Sequence, residues 1–288
     1  MTMTPQKHIL ACIDGSAVTE SVCDYAAWYA TRLGLPVALL NAIDVPASTR
    51  RNLAGVIGIN SRQILLEELT QLDEARAKVA NSYSTALVKD AKSYIENKYD
   101  VPVETYQRHG KLLPAIEHVK EKNRAIVMGR RGEDHQNKHL NIGSQIETVA
   151  RASSVPILIC SEPFTTPASY MIAFDASKIA ITATQMVAKS YLLKDLQGHI
   201  VMVGNHDELS KQSLAAATAE LLSAGFKIQA HHLPATDAVN GLLSFQAEHH
   251  IDIIVIGAYG RSKWSQLFLG STTTEIIAST LSPVILVR

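Results

Sequence analysis

The sequence predicts an α/β chain made of two tandem doubly wound, Rossmann-like units, and three observations carry that prediction. Apolar strand candidates alternate with helical patterns along the chain, the strands are continuous Val/Ile/Leu runs, and the parts of the first half recur in the same order in the second. Continuous apolar runs imply burial on both faces, as in a parallel sheet covered by helices. A length of 288 residues accommodates two such units, each with its own core.

The first half opens with an apolar strand, His8 to Ile13, ending in Asp14-Gly15-Ser16; the second opens with Tyr170 to Phe174, ending in Asp175-Ala176-Ser177. A helical pattern follows each turn, through Val22, Tyr25, Ala26, Tyr29 and Leu33 in one half and Ala183, Met186, Val187 and Tyr191 in the other. Second strands follow, Pro36 to Ala42 and His199 to Val203. Later, a short strand before Gly129 (Ala125 to Met128) matches one before Gly257 (Ile253 to Ile256). The last strands, Val155 to Ile159 and Val284 to Val287, each lie beside a proline, Pro156 and Pro283. Between the halves, residues 162–169 carry two prolines and no apolar periodicity, which suits a semi-rigid connector. The expected domains are 1–161 and 170–288.

The halves differ in one place. From Asp14 to Gly129 is 115 positions and from Asp175 to Gly257 is 82, so the first half carries 33 extra, between Asp44 and Asp100. That stretch holds Arg50, Arg51, a glycine-containing loop and a helical pattern from about Ser61 to Lys98. Leu65, Leu69, Leu72, Val79, Tyr83, Leu87 and Tyr94 fall on or near one face. At about 1.5 Å per residue such a helix approaches about 55 Å, more than its sheet needs. Either it projects onto the other half or a second chain, or it breaks near Asn81-Ser82 and folds back.

Composition excludes several classes. Hydrophobic residues make up 47% and charged residues 19%, which argues against disorder. Lys plus Arg equals Asp plus Glu at 27 each, so no global field favours nucleic acid or an anionic membrane. No apolar run approaches a membrane span, and the one after the polar N-terminus is too short for a signal segment. Three cysteines at unrelated spacings give no disulfide framework, so a cytoplasmic setting is expected.

The strongest chemical signal is Gly257-Ala258-Tyr259-Gly260, nine residues, then Gly270-Ser271-Thr272-Thr273-Thr274-Glu275, between a buried strand and a helical run. Glycines let a backbone approach a phosphate with no Cβ in the way. Free amides at the following helix start then point at the anion, with the helix dipole favouring negative charge there. The Ser271, Thr272 and Thr273 hydroxyls can donate to phosphate or cap the helix.

This Gly-x2-Gly-x9-Gly-Ser pattern after the fourth strand resembles the nucleotide loop of the universal stress protein family. Gly260-Arg261-Ser262, Leu269-Gly270-Ser271 and Ser282-Pro283-Val284-Ile285-Leu286-Val287 resemble that family's closing sequence, and Ile13-Asp14-Gly15-Ser16 is similar to its start. The resemblance covers essentially the whole chain as two tandem family domains. It implies two five-stranded parallel sheets in the order 3-2-1-4-5, flanked by helices. It also implies ATP or AMP, with magnesium possible beside ATP, across the carboxyl ends of strands 1 and 4. Carried over, the binding residues are Asp175, Val203, Ile256, Gly257, Gly260, Arg261, Gly270, Ser271 and Thr272, with Asp14, Gly129, Gly132, Gly143 and Ser144 as first-half counterparts. In the family the fifth strand forms the dimer edge, so the two halves are expected to pair through their last strands; the long helix leaves a homodimer open.

The first half departs from the pattern. Ten residues separate Gly129-Arg130-Arg131-Gly132 from Gly143-Ser144, and Gln145 and Ile146 replace the Thr hydroxyls, although Arg130, Arg131, Lys138 and His139 add positive charge. Nucleotide binding is therefore expected chiefly in the second half. His135 and His139 lack a third metal ligand, and the adjacent pairs His231-His232 and His249-His250 read as surface histidines. No nucleophile–base–orienter set and no P-loop is present. A regulatory nucleotide-binding protein is the leading class, ahead of a slow ATP hydrolase and of a ligand-free scaffold.

Overall fold

The computed structural model describes residues 7–44, 59–130, 144–160, 162–204, 207–258 and 270–288. The first half runs β1 (His8–Cys12), α1 (Thr19–Leu33), β2 (Val37–Ile43), α2 (Ile59–Tyr99), β3 (Val103–His109), α3 (Leu112–Val119), β4 (Asn123–Gly129), α4 (Ser144–Ala152) and β5 (Ile157–Cys160). The second runs β6 (Ser169–Ala173), α5 (Lys178–Ala188), β7 (Gln197–Val203), α6 (Glu208–Ser223), β8 (Lys227–Leu233), α7 (Ala238–Glu248), β9 (Ile253–Gly257), α8 (Ser271–Ser279) and β10 (Val284–Val287).

The strands form one ten-stranded sheet in the order β3-β2-β1-β4-β5-β10-β9-β6-β7-β8. Each half thus has the order 3-2-1-4-5, with all pairs parallel inside a half. The halves meet at β5 and β10, which pair antiparallel through Val284↔Ile159, Ile285↔Leu158 and Leu286↔Ile157. An apolar edge strand left open is a template for aggregation, and here each half covers the other's edge.

Burial follows the strand sequences. Ile9 to Ala11, Ala125 to Met128 and Ile253 to Val255 are buried on both faces, because helices cover both sides. One apolar layer holds α1, α2, α5 and α6 against Ile9, Ala11, Ile172 and Val255; the other holds α3, α4, α7 and α8 against Leu10, Met171 and Ile254. Both layers run unbroken across the seam between the halves.

Helix α1 is buried from Ser21 to Ala30, including the carboxylate of Asp24. Burying a charge demands partners, and Asp24 Oδ1 accepts from the Tyr94 hydroxyl at 2.9 Å, the Tyr99 hydroxyl at 2.8 Å and Lys98 Nζ at 3.1 Å, all on α2. These bonds clamp the C-terminal part of α2 onto α1. Within α2, Ser84, Val88, Ala91 and Ile95 are buried at helical spacing and set one stripe on the sheet. The helix does not break near Asn81-Ser82; it is continuous over 41 residues.

Further contacts fix the seam beyond the strand pair. The Tyr25 ring meets Phe164 of the connector edge-on at 4.7 Å, Arg32 Nε donates to the Leu192 carbonyl, and Arg288 donates to the Arg151 carbonyl. The connector itself is anchored, since Asp252 Oδ2 accepts from the amides of Ala168 (2.8 Å) and Ser169 (3.0 Å). Tyr191, expected on the buried face of the helix after β6, lies beyond the end of α5 and is 69% exposed. The helix stops at Ala188 because Lys189 and Ser190 turn the chain so that Leu192, Leu193 and Leu196 reach the core instead.

Candidate functional site

The two strand-1 turns have the same construction. Asp14 Oδ1 accepts from the Ser16 amide and Asp175 Oδ1 from the Ser177 amide, each at 3.0 Å. The residue between them adopts a left-handed backbone, φ +84° at Gly15 and +59° at Ala176. Such a turn aims the aspartate away from the strand, and Asp14 and Asp175 are both exposed at the carboxyl end of the sheet. In the second half the Ser177 hydroxyl then caps α5, accepting from the Ala180 amide at 3.3 Å.

Around the second turn lies an open cleft of about 610 Å³, solvent-facing space included. It sits at the carboxyl ends of the neighbouring strands β6 and β9, the point at which strand order reverses and doubly wound sheets bind ligands. Val203, Ile256 and Leu242 give it apolar walls, Asp175 is the one carboxylate among its described lining residues, and Thr272 and Thr273 close the side toward α8.

The start of α8 has the features of an anion site. Gly270, the residue before the helix, has φ +92° and ψ 135°, a conformation effectively reserved for glycine, and no side chain caps the helix. The first-turn amides of a helix without a side-chain cap need partners from outside it. Thr273 is buried, and its hydroxyl leans back toward the Gly257 carbonyl at 3.4 Å, tying the helix to the end of β9. Gly257 has a packing reason of its own: a Cβ there would meet Ile179 at 3.0 Å and its backbone at 3.2 Å. Its glycine therefore serves the close approach of α5 to β9, which the reading as a pure phosphate glycine did not include.

Of the second-half candidates, Asp175, Val203, Ile256, Gly257 and Thr272 line one cleft, and Gly270 and Ser271 stand at its α8 rim. Gly260 and Arg261 lie outside the described residues, as do Gly132 and Gly143 in the first half. There, Asp14 follows β1 by two residues, Gly129 ends β4, and Ser144 begins α4. Arg130 reaches into the other half. It is buried, 6% exposed, and its guanidinium donates to the carbonyls of Thr280 and, at 3.1 Å, Ser282 in the other half. The turn of the first half is also covered differently. A Cβ on Gly15 would lie 2.0 Å from the Tyr83 hydroxyl, so the long α2 lays a tyrosine over this turn. Asn41 adds to the cover by donating to the Ile13 carbonyl at 2.7 Å while accepting from the Ser84 hydroxyl at 2.6 Å.

Sequence reasoning missed Ala238 and Leu242, which come from α7, and it did not foresee a histidine cluster. His232, His249 and His250 are exposed, as expected, and His231 is half-buried; yet His231 Nε2 is 3.0 Å from Nδ1 of buried His199, and His249 lies 5.6 and 5.8 Å from their ring centres, stacked on Phe245. Burial, and then the charge of neighbouring histidines, lowers the proton affinity of His199 and His231. Folded histidines that bind protons less readily than unfolded ones contribute stability at neutral pH that is lost as pH falls through and below 6.5. Buried His8 shifts the same way, with burial the largest cause. The melting temperature should therefore fall on going from pH 7.5 to 5.5, and His199→Gln should flatten that slope. An unchanged slope in the variant would remove the cluster as its source.

The Universal stress protein family profile matches residues 6–161 and 201–288. Universal stress protein Slr1230 from Synechocystis is 31% identical over 287 residues, 98% of this chain and all of that protein. Among solved structures, a universal stress protein from Archaeoglobus fulgidus is similar at a TM-score of 0.67 and 18% identity, covering 99% of this chain and 97% of its own. A putative one from Pseudomonas aeruginosa gives 0.62 and 16%, covering 100% and 95%. The profile matched in both halves, the full-length relative and the shared sheet order agree: the chain belongs to the universal stress protein family.

Proposed function

We propose that this chain is a stress-response regulator that binds one adenine nucleotide, ATP or AMP, in the cleft of its second domain. The observation that carries the reading is a convergence. Apolar walls from Val203, Ile256 and Leu242 suit a base, Asp175 stands where a ribose hydroxyl could donate to it, and the start of α8 suits phosphates. Of the two domains, 1–161 and 170–288, the second is the proposed binder. Its cleft is open beside Asp175, whereas Tyr83 covers the corresponding turn of the first. Magnesium would accompany ATP at the phosphates, and the role is binding rather than turnover. A cytoplasmic setting is part of the proposal; no helix among the described residues is long and apolar enough to cross a membrane.

Calorimetric titration of ATP and of AMP into the full chain tests this, beside the variant Ala238→Trp. Ala238 lines the cleft and is exposed, so an indole there fills space without disturbing the core. One nucleotide per chain is expected, with affinity reduced at least about tenfold in the variant, equivalent to about 1.4 kcal/mol. Equal binding by both proteins would move the site elsewhere. No heat and no thermal shift with millimolar nucleotide would leave the chain a scaffold.

A further inference from the structure

The histidine cluster and the second-domain cleft are the two ends of one contact, that of α7 on β7. On β7, His199 belongs to the cluster, and Val201 and Val203, two and four residues on along the same face, line the cleft. On α7, Ala238 and Leu242 line the cleft, and Phe245 and His249 continue the same stripe into the cluster. Between the two ends the packing is tight: a Cβ on Gly241 would lie 2.7 Å from Val203. Close-packed elements transmit strain, so a displacement at one end of α7 tilts the helix about this contact. His249 lies about 12 Å from Gly241 toward the cluster, and Ala238 about 4.5 Å from it toward the cleft. Lifting the C-terminal end of α7 therefore moves the cleft wall.

Protonation supplies the lifting force. His199 is buried, and its Nδ1 meets His231 Nε2 at 3.0 Å, a hydrogen bond in which one nitrogen must accept. Once both rings are protonated every ring nitrogen is a donor, and two N–H groups face each other. Buried Phe245 packs on His199, His231 and His249 at 5.5, 4.7 and 4.1 Å between ring centres, so the cluster opens only with α7. The end of α7 is the part that gives, since His249 is exposed whereas β7 is held between β6 and β8. Burial keeps His199 and His231 neutral at pH 7.5, and protons arrive as pH falls below 6.5. The other titratable groups around the cluster are Lys227 on the same face of β8, and Glu248 and His250 beside His249. His232 lies on the other face of β8, and the neighbours from β6 and β7, Met171 and Gln197, are uncharged. We propose that the His199–His231–His249 cluster is a proton-operated regulator of the second-domain cleft, levering α7 so that adenine-nucleotide binding weakens when the cluster is protonated. This regulation rests on that cleft being the nucleotide site.

Calorimetric titration of AMP into the full chain at pH 7.5 and at pH 5.5 tests the coupling, beside a variant carrying His231→Gln and His249→Gln. Neither position lines the cleft, so the two proteins should bind AMP alike at pH 7.5. At pH 5.5 the wild-type affinity should have fallen at least about fivefold more than that of the variant. The phosphate of AMP titrates with both proteins, so only the difference between them reports the cluster. Reciprocity provides a measurement that needs no variant: AMP should move the His199 titration, followed by NMR of the ring protons, to lower pH. The charge of a bound phosphate acting alone would move it upward. Equal losses of affinity in the two proteins, or a His199 titration raised or unmoved by AMP, overturn the proposal and leave the nucleotide site standing. No AMP binding at pH 7.5 overturns the nucleotide site, and this regulation with it.

Discussion

Gly270→Val is expected to lower the affinity for ATP or AMP about tenfold or more while the chain stays folded. The backbone at Gly270, φ +92° with ψ 135°, lies where a β-branched residue is strained by about 1–3 kcal/mol. Among the described residues a Cβ would make only an ordinary contact, 3.7 Å from the Thr273 hydroxyl. Relief of the strain therefore comes from rotating the backbone before α8, which swings the amides of Ser271 and Thr272 away from the cleft. A shift of that size in free energy is about tenfold or more in a binding constant. Gly143→Val, at the equivalent place in the first domain, should cost less nucleotide affinity. Equal losses from the two variants would contradict the assignment of the site to the second domain.

Arg130→Ala should be among the most damaging single changes to stability, about 2–4 kcal/mol. Arg130 is buried and its guanidinium spans the seam, donating to the Thr280 and Ser282 carbonyls between α8 and β10. Truncation leaves those acceptors without their charged donor and opens a cavity beside them. The loss should appear as a melting temperature several degrees lower and as faster amide exchange in β5 and β10, the strands the arginine helps hold together. Arg151→Ala, which breaks an exposed i,i+4 pair with Glu147, should change stability by less than about 1 kcal/mol. If the two variants melted alike, Arg130 would not be the tie between the halves.

Much of this architecture was legible in the sequence because it rests on local patterns. Buried parallel strands such as Ala125 to Met128 and Ile253 to Ile256 declare themselves as unbroken apolar runs, and Asp14-Gly15-Ser16 and Asp175-Ala176-Ser177 mark equivalent turns. In α2 the helix was legible but its buried face was not: Leu72, Val79 and Tyr83 of the expected stripe are exposed, while Ser84, Val88, Ala91 and Ile95 face the sheet, and the helix is continuous. What escaped depends on pairs distant in sequence. Strand β8 holds one large apolar residue, Ile228, before the adjacent His231 and His232 at a sheet edge, and α7 carries Asn240 and Gly241 near its start, so neither shows a strong period. Without α7, the Ala238 and Leu242 wall of the cleft could not be placed. Nor does any local signal bring His199 to His231, lay Tyr83 over Gly15, or turn Arg130 from a loop cation into a bolt between domains.

The most direct test is a crystal structure of the full chain grown with AMP. The account predicts one AMP per chain, its phosphate within about 3 Å of the Ser271 to Thr273 amides and its base between Val203 and Leu242. AMP seated at the Asp14 turn instead, or an empty second-domain cleft at saturating nucleotide, would contradict it.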